Sequence, residues 1–350
     1  MCMFFKHRRT SIFGAMETGD HSKKRGDSEK PTSRTNFKYR FLILALFGAT
    51  LCGCSKNNDD KKDDDGNGQT ASQIKLTYAA SSASASLEIF LWGSDGIVTV
   101  DWGDGKNDNF TFSPEVSEKE SYLRHTYTNS GNYSVSITGA NKITKFGCEV
   151  QSGDRIVDMD ISKCTALTNL SCSDNQLTVL DVSKNTALTE LECDGNKLTV
   201  LDVSKNTALT ELYCDENQLT SLNVSNCPAL IYLGCSENKL TDIDVSKNTS
   251  LVELDLDKNQ LTTIDVSKNT ALTVLKCGSN KLTKLDVSKN TALTDLHCDN
   301  NQFNADGLDA LFATLHSNRL EYKSIQIDGN PGAGSCNRQI ARDKGWIFFD

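Results

Sequence analysis

The chain has 350 residues, of which 37% are hydrophobic and 24% are charged, as in ordinary folded globular proteins. Its formal net charge is −9. Binding to phosphate groups requires a cationic surface, so we expect no nucleic-acid partner and favour a cationic or neutral one.

An apolar run, "FLILALFGATLCG", occupies residues 41–53 and follows the basic residues Lys38 and Arg40. At 13 residues it is too short to span a bilayer and is typical of a signal peptide. Its end, "LCGC", resembles the lipobox of bacterial lipoproteins, where cleavage before the cysteine leaves that residue to carry lipid. The resemblance implies a leader over residues 1–53 and lipid attachment at Cys54. An ordinary secretory signal with an incidental cysteine is the alternative.

Residues 54–71 contain "SKNNDDKKDDDGNGQT", which is too polar to bury a core and predicts a flexible, lipid-anchored tether. The acid-rich stretch resembles the surface-export signal of lipoproteins in the Bacteroidota, although a generic solvated linker fits equally well. With the lipobox, it implies a protein anchored in the outer membrane by lipid only and exposed at the cell surface. The sequence leaves a periplasmic orientation open.

Residues 72–140 alternate apolar and polar side chains in "IKLTYA", "LEIFLW", "GIVTVDW" and "NYSVSITG", a pattern that predicts strands of a small β-sandwich. The motifs "VDWGDG" and "HTYTNSGNYSVSITG" resemble the polycystic-kidney-disease (PKD) type of immunoglobulin-like domain. That resemblance implies a core position for Trp102, a turn at Asp104 and Gly105, and a spacer role.

The chain then repeats every 21 residues from Met159 to Asn301 in the frame L-x-x-L-x-C-x-x-N-x-L. Such a period predicts a leucine-rich-repeat solenoid, a right-handed superhelix with a parallel β-sheet and short extended or 3₁₀ convex segments. In each coil the second leucine and the cysteine point inward from a short strand, and the asparagine satisfies backbone groups.

The repeats are predicted to fill residues 141–303, comprising a degenerate N-terminal coil and seven regular copies, with a C-terminal cap over residues 304–350. In the cap, "NADGLDALFATLHSN" has helical periodicity and "YKSIQI" alternates like a strand. The phrases "LDVSKNTALTELxC" and "IQIDGNPGAGSCNRQIARDKGWIFF" resemble leucine-rich-repeat lipoproteins of the Bacteroidota.

Six cysteines share one position of the repeat, where the fifth copy has Leu256. A position that accepts leucine is hydrophobic, so we predict buried free thiols there. Disulfides between neighbouring coils and a metal or redox role are the alternatives. The six are Cys172, Cys193, Cys214, Cys235, Cys277 and Cys298.

The outward positions of the strands form the surface that the repeat leaves free to vary, and ten of these 21 positions are carboxylates. Three interpretations remain open: a docking surface for a basic protein or peptide, a solvated face that maintains solubility, and a calcium site shared by adjacent coils. The predicted partner-binding residues are Glu190, Glu192, Asp194, Glu211, Tyr213, Asp215, Tyr232, Glu253, Asp255, Asp257, Lys276, Asp295, His297 and Asp299.

Catalysis has little support in the sequence. His297 lies between Asp295 and Asp299, a pairing that could tune a base, but no nucleophile position or metal-ligand triad accompanies it. We predict no catalytic residues, no cofactor, no bound metal and a monomer. The predicted function is non-catalytic recognition of an external protein or glycan by the concave face. The alternative is an envelope scaffold that binds other surface lipoproteins of the same cell.

Overall fold

The computed structural model describes residues 74–93, 96–112, 121–139, 143–150, 153–320 and 322–349. All of them belong to one compact unit. The predicted leader, the lipid-attachment residue Cys54 and the tether lie outside the described residues. Neither helix in these ranges has the length and apolar character needed to cross a membrane.

Eight strands precede the regular repeats and form two sheets. The four strands expected from alternation are confirmed, whereas β4, β5 and β8 were not predicted as strands. One sheet has the order β4-β3-β6-β1-β8, and β5, β2 and β7 lie side by side in the other. The strands are β1 Ile74–Ala80, β2 Ser86–Gly93, β3 Gly96–Asp101, β4 Asn107–Phe112, β5 Ser121–Thr126, β6 Gly131–Thr138, β7 Ile143–Val150 and β8 Arg155–Asp160.

Buried aromatic rings connect these two sheets. Trp102, which follows β3, stacks on His125 of β5 with the ring centroids 4.9 Å apart, and Tyr78 of β1 packs against Tyr127 at 5.0 Å. The Tyr127 hydroxyl donates to the carbonyl of Trp102 at 3.0 Å, and Trp102 is fully buried. Gly103 has a φ of +76°, and a Cβ there would meet the Ser134 carbonyl oxygen at 2.6 Å. The immunoglobulin-like class of this region stays a prediction.

The regular repeats form a solenoid of stacked coils, each contributing one three-residue strand to a parallel sheet, as the repeat predicts. Each central leucine is buried and lies in register with the leucines of neighbouring coils, for example Leu191 with Leu212 and Leu212 with Leu233. Stacking therefore buries side chains that one coil could not cover alone. The strands are β9 Asn169–Ser171, β10 Glu190–Glu192, β11 Glu211–Tyr213, β12 Tyr232–Gly234, β13 Glu253–Asp255, β14 Val274–Lys276 and β15 Asp295–His297.

The repeated asparagine links successive coils, which confirms its structural role. The Asn217 side-chain amide donates to the carbonyls of Cys193, Cys214 and Asp215 at 3.0, 3.2 and 3.0 Å. Its Oδ1 accepts from the backbone N–H of Leu198 at 3.0 Å. One side chain thus satisfies four backbone groups that the chain buries as it turns after the strand.

A second asparagine position lies on the convex side and was not identified from the sequence as a structural feature. The Asn206 amide donates to the carbonyls of Val182 and Asn185 at 3.0 and 2.9 Å, whereas its Oδ1 accepts no hydrogen bond from the described residues. Cys227 occupies this position one coil later, and its thiol points to the equivalent carbonyls of Val203 and Asn206. The convex segments between β9 and β15 contain turns with i to i+3 hydrogen bonds and no helix.

The solenoid and the N-terminal strands share one twelve-stranded sheet. Strand β7 supplies the strand of the degenerate first coil, because Phe146 lies in parallel register with Leu170 of β9. On its other side β7 pairs antiparallel with β2. Pairing with β2 therefore leaves no open sheet edge at the start of the repeats, so the preceding strands cover that end.

The C-terminal segment covers the other end of the solenoid. Helix α1 Ala305–Thr314 begins after Asn304, whose side chain accepts from the Gly307 N–H at 2.7 Å, and buries the apolar face predicted for it. Strand β16 Ser324–Gln326 confirms the strand predicted from the alternation, and it pairs in parallel with β15. Helix α2 Gln339–Arg342 and strand β17 Ile347–Phe348 follow, and β17 forms the last strand of the sheet.

Candidate recognition surface

We call one surface of the solenoid the concave face. It consists of the outward side chains of β9 to β15 and of the residue that lies two positions after the end of each of these strands. The first strand position of each coil pairs with the first position of the next, and the third pairs with the third, so the predicted partner-binding residues lie in three parallel columns. The columns run Glu190, Glu211, Tyr232, Glu253, Val274, Asp295; Glu192, Tyr213, Gly234, Asp255, Lys276, His297; and Asp194, Asp215, Ser236, Asp257, Gly278, Asp299.

Two tyrosines stack near the middle of this face, and we call them the tyrosine pair. The ring centroids of Tyr213 and Tyr232 are 4.3 Å apart, with an angle of 27° between the planes. The Tyr213 hydroxyl donates to Glu211 Oε2 at 2.8 Å. A Cβ on Gly234 would lie 3.0 Å from two atoms of Tyr232, so Gly234 leaves the space that this ring occupies.

Carboxylates flank the tyrosine pair. Tyr232 lies in register between Glu211 and Glu253, each one strand away. Burial and the neighbouring Glu211 raise the pKa of Glu190, which accepts a hydrogen bond from the Asn169 amide. Ile231 and Val252, which directly precede β12 and β13, are exposed apolar side chains. The centre of the face therefore combines aromatic and acidic groups.

The third column, which lies two residues after each strand, contains carboxylates whose pKa values are raised. Burial raises the pKa of Asp215 to about 7 and, with the charge of Asp255, that of Asp257 to about 6. Asp215 Oδ1 accepts from the Ser236 N–H and Asp257 Oδ1 from the Gly278 N–H, both at 2.6 Å. Near neutral pH the face is consequently less negative than a count of its acids indicates.

A pH-dependent stability follows from the raised pKa of Asp215. The unfolded chain releases this proton near pH 4, whereas the folded chain retains it to about pH 7. The free energy of unfolding should therefore fall as pH rises from about 4 to 7, by about 1 kcal/mol per pH unit from this residue. Asp215→Asn should flatten the dependence, measured by urea unfolding at pH 5 and pH 7.

The control for this experiment is Asp244→Asn on the convex side. A hydrogen bond from the Ser246 N–H lowers the pKa of Asp244, and Asn223 naturally occupies the equivalent position one coil earlier. This variant should retain the wild-type pH slope. An unchanged slope in Asp215→Asn would show that Asp215 does not hold its proton in the folded state.

The C-terminal part of the concave face is closer to charge balance. Lys276 Nζ lies 3.2 Å from Asp255 Oδ2 and 3.5 Å from Glu253 Oε1. His297 Nε2 lies 3.2 Å from Asp295 Oδ2. The outward positions of β9 to β12, in contrast, contain no lysine or histidine.

The described residues contain no preformed site for the calcium ion considered above. Among these residues, no group of three or more histidine, cysteine, aspartate or glutamate side chains is placed to hold a metal ion. Calcium sites require six to eight oxygen ligands in close array. The raised pKa of Asp215 and Asp257 further reduces the carboxylate charge that would attract a cation.

The cysteines of the repeat are buried and free, as predicted. Their thiols point toward backbone carbonyls of the next coil, for example Cys214 Sγ toward the Gly234 oxygen at 3.3 Å. Burial raises the pKa of Cys214 well above that of an ordinary thiol, and Leu256 takes the same buried position in the fifth copy. A thiol held in its protonated form is a poor nucleophile and a poor metal ligand.

Comparisons with known proteins agree with the repeat architecture. The LVIVD repeat model matches residues 171–193, which is about one coil. No curated protein matches the sequence. The matching model describes a repeat and indicates no catalytic family. The chain contains a repeat solenoid.

Among solved structures, the functional domain of InlJ from Listeria monocytogenes, which includes a cysteine ladder, is 34% identical with a TM-score of 0.44 and aligns over 61% of this chain and 50% of that one. A leucine-rich-repeat protein from Leptospira interrogans is 22% identical with a TM-score of 0.46, over 54% and 56%. The ectodomain of the Arabidopsis thaliana receptor kinase GASSHO1/SCHENGEN3, in complex with Casparian strip integrity factor 2, is 24% identical with a TM-score of 0.41, over 49% and 22%. The chain spans about half the length of the first two structures.

Proposed function

We propose that this protein is a cell-surface lipoprotein whose concave face binds an external partner without catalysis, and that the partner is a protein with a basic segment. A glycan partner and a scaffold for other lipoproteins are the competing functions. The observation that carries the proposal is the cluster formed by Glu211, Tyr232 and Glu253 on adjacent strands, with Tyr213 stacked beside them.

The chemistry of this cluster suits a basic protein segment. Aromatic side chains with their rings partly exposed contribute large contact area at low entropic cost and attract cations over their faces. The flanking carboxylates accept charge-assisted hydrogen bonds from lysine or arginine and steer a cationic partner toward the face.

Charge reversal tests this proposal. Glu211→Lys with Glu253→Lys should abolish capture of proteins from host or neighbour-cell extracts, and the proteins lost should contain a basic segment. Both glutamates are only half-buried, so the double variant should fold. Glu192 is unsuitable for reversal because it is 6% exposed, and a lysine there would be buried.

The matched control is Asp158→Lys with Asp242→Lys, two exposed residues outside the concave face that give the same change in net charge. This control should capture the same proteins as the wild type. Undiminished capture by the Glu211 and Glu253 variant would place the site elsewhere. Partners recovered only from the producing cell's own membrane would favour the scaffold function.

The proposed location depends on "LCGC" and the acidic tether, which lie outside the described residues. If Cys54 carries lipid, Cys54→Ala should abolish incorporation of labelled fatty acid and release the protein from membranes. Protease treatment of intact cells should then cleave the wild-type protein. Protection of the protein in intact cells would place it in the periplasm.

A further inference from the structure

A pocket of about 690 Å³ lies at the C-terminal end of the concave face, away from the tyrosine pair. Its floor consists of outward side chains of β15 and β16, including Asp295, His297, Ser324 and Gln326. Its wall comes from Leu320, Tyr322 and Phe349 of the C-terminal segment. Asp295 and His297 were predicted from the sequence as partner-binding residues, whereas the three wall residues were not.

The floor is a fixed array of hydrogen-bonding groups. The Ser324 hydroxyl donates to Asp295 Oδ1, and the His297 ring lies within hydrogen-bond distance of Asp295 Oδ2. Ser324 is buried, so this network holds the carboxylate in one orientation. The Gln326 side chain offers both an amide donor and a carbonyl acceptor. The floor can thus both donate to and accept from hydroxyl groups.

The wall is apolar and unusually exposed. Tyr322 and Phe349 are 57% and 43% exposed, and their ring centroids lie 6.4 Å apart. Leu320 beside them is 39% exposed. Three large apolar side chains grouped beside a polar floor are typical of a ligand site, whereas single exposed apolar residues need no explanation.

The charge at this end of the face determines the class of ligand. Asp295 already has Ser324 and His297 as partners, and Lys276 on the adjacent strand is paired with Asp255 and Glu253. A strongly cationic ligand is therefore favoured less here than at the tyrosine pair. The pocket suits a neutral ligand that presents hydroxyl groups along one edge and a C–H face on the other.

We propose that this pocket binds a neutral saccharide unit, with Tyr322 and Phe349 packing against the sugar ring and with Asp295, His297 and Gln326 bonding its hydroxyls. This inference goes beyond the proposed function, because it assigns a second site with a different ligand. The two sites occupy the same face, so a glycosylated surface could engage both.

Affinity electrophoresis tests the saccharide site with four soluble neutral polysaccharides as probes: starch, mixed-linkage β-glucan, mannan and xylan. Migration of the wild-type protein should be retarded in at least one gel. Tyr322→Ala with Phe349→Ala should weaken that binding at least tenfold. Both side chains are exposed, so thermal unfolding of this variant should match the wild type. Asp295→Asn should weaken binding without removing the aromatic wall.

The charge-reversal variant Glu211→Lys with Glu253→Lys should bind polysaccharide normally, which separates failure at one site from failure at the other. Absence of retardation in all four gels would overturn the saccharide assignment, as would normal retardation of the Tyr322 and Phe349 variant. Loss of protein capture in that variant, with no polysaccharide bound by the wild type, would assign the pocket to the protein partner instead.

Discussion

Leu212→Ala is expected to lower the free energy of unfolding by about 2–5 kcal/mol. Leu212 is fully buried and lies between Leu191 and Leu233 in adjacent strands, so truncation leaves a cavity whose lining comes from three coils. A coil held in register by its neighbours cannot collapse into that space. Urea unfolding followed by circular dichroism measures the loss, as the shift in midpoint multiplied by the slope.

Two control variants show which part of this loss comes from the cavity. Leu212→Met keeps the side-chain volume and should cost less than about 1.5 kcal/mol. Val200→Ala removes an apolar side chain that is 71% exposed and should change stability by less than about 0.5 kcal/mol. A Leu212→Ala loss no larger than that of Val200→Ala would contradict the stacked leucine core.

Asn217→Ala is expected to cost about 2–4 kcal/mol, because it leaves buried backbone groups in two coils without their partner. The lost side chain accepts from the Leu198 N–H and donates to carbonyls of Cys193 and Cys214. Hydrogen exchange should also become faster at Leu198, whose N–H loses its acceptor. Urea unfolding provides the stability change and amide exchange locates it.

The matched control is Asn206→Cys, a change at an asparagine that is also buried but differently bonded. Cys227 already occupies the equivalent position one coil later, and the Asn206 Oδ1 accepts no hydrogen bond from the described part of the chain. Its cost should stay below about 1 kcal/mol, because the thiol can point to the same carbonyls. Equal losses in the two variants would show that the hydrogen bonds of Asn217 add nothing beyond its volume.

Asp215 and Asp244 differ in proton affinity in a way that their residue type does not predict. Both are aspartates at fixed positions of the same repeat, yet burial raises the pKa of one to about 7 and a backbone hydrogen bond lowers that of the other. Proton affinity depends on the distance to solvent and to neighbouring charges, which the residue type does not specify. The repeat predicts how many acidic residues lie on the concave face, but it does not predict how much negative charge they carry.

The sequence by itself determined the coil, because a period of 21 residues fixes which side chains face inward once identical strands stack in parallel register. Leucine, cysteine and asparagine positions follow from that local geometry. Only the tertiary structure decided that β7 joins the repeats to β2 in one sheet, and that Tyr322 and Phe349 meet beside Asp295. These contacts connect segments that are far apart in the chain. They depend on how the non-repeating ends fold back, and the repeat period predicts contacts only between coils.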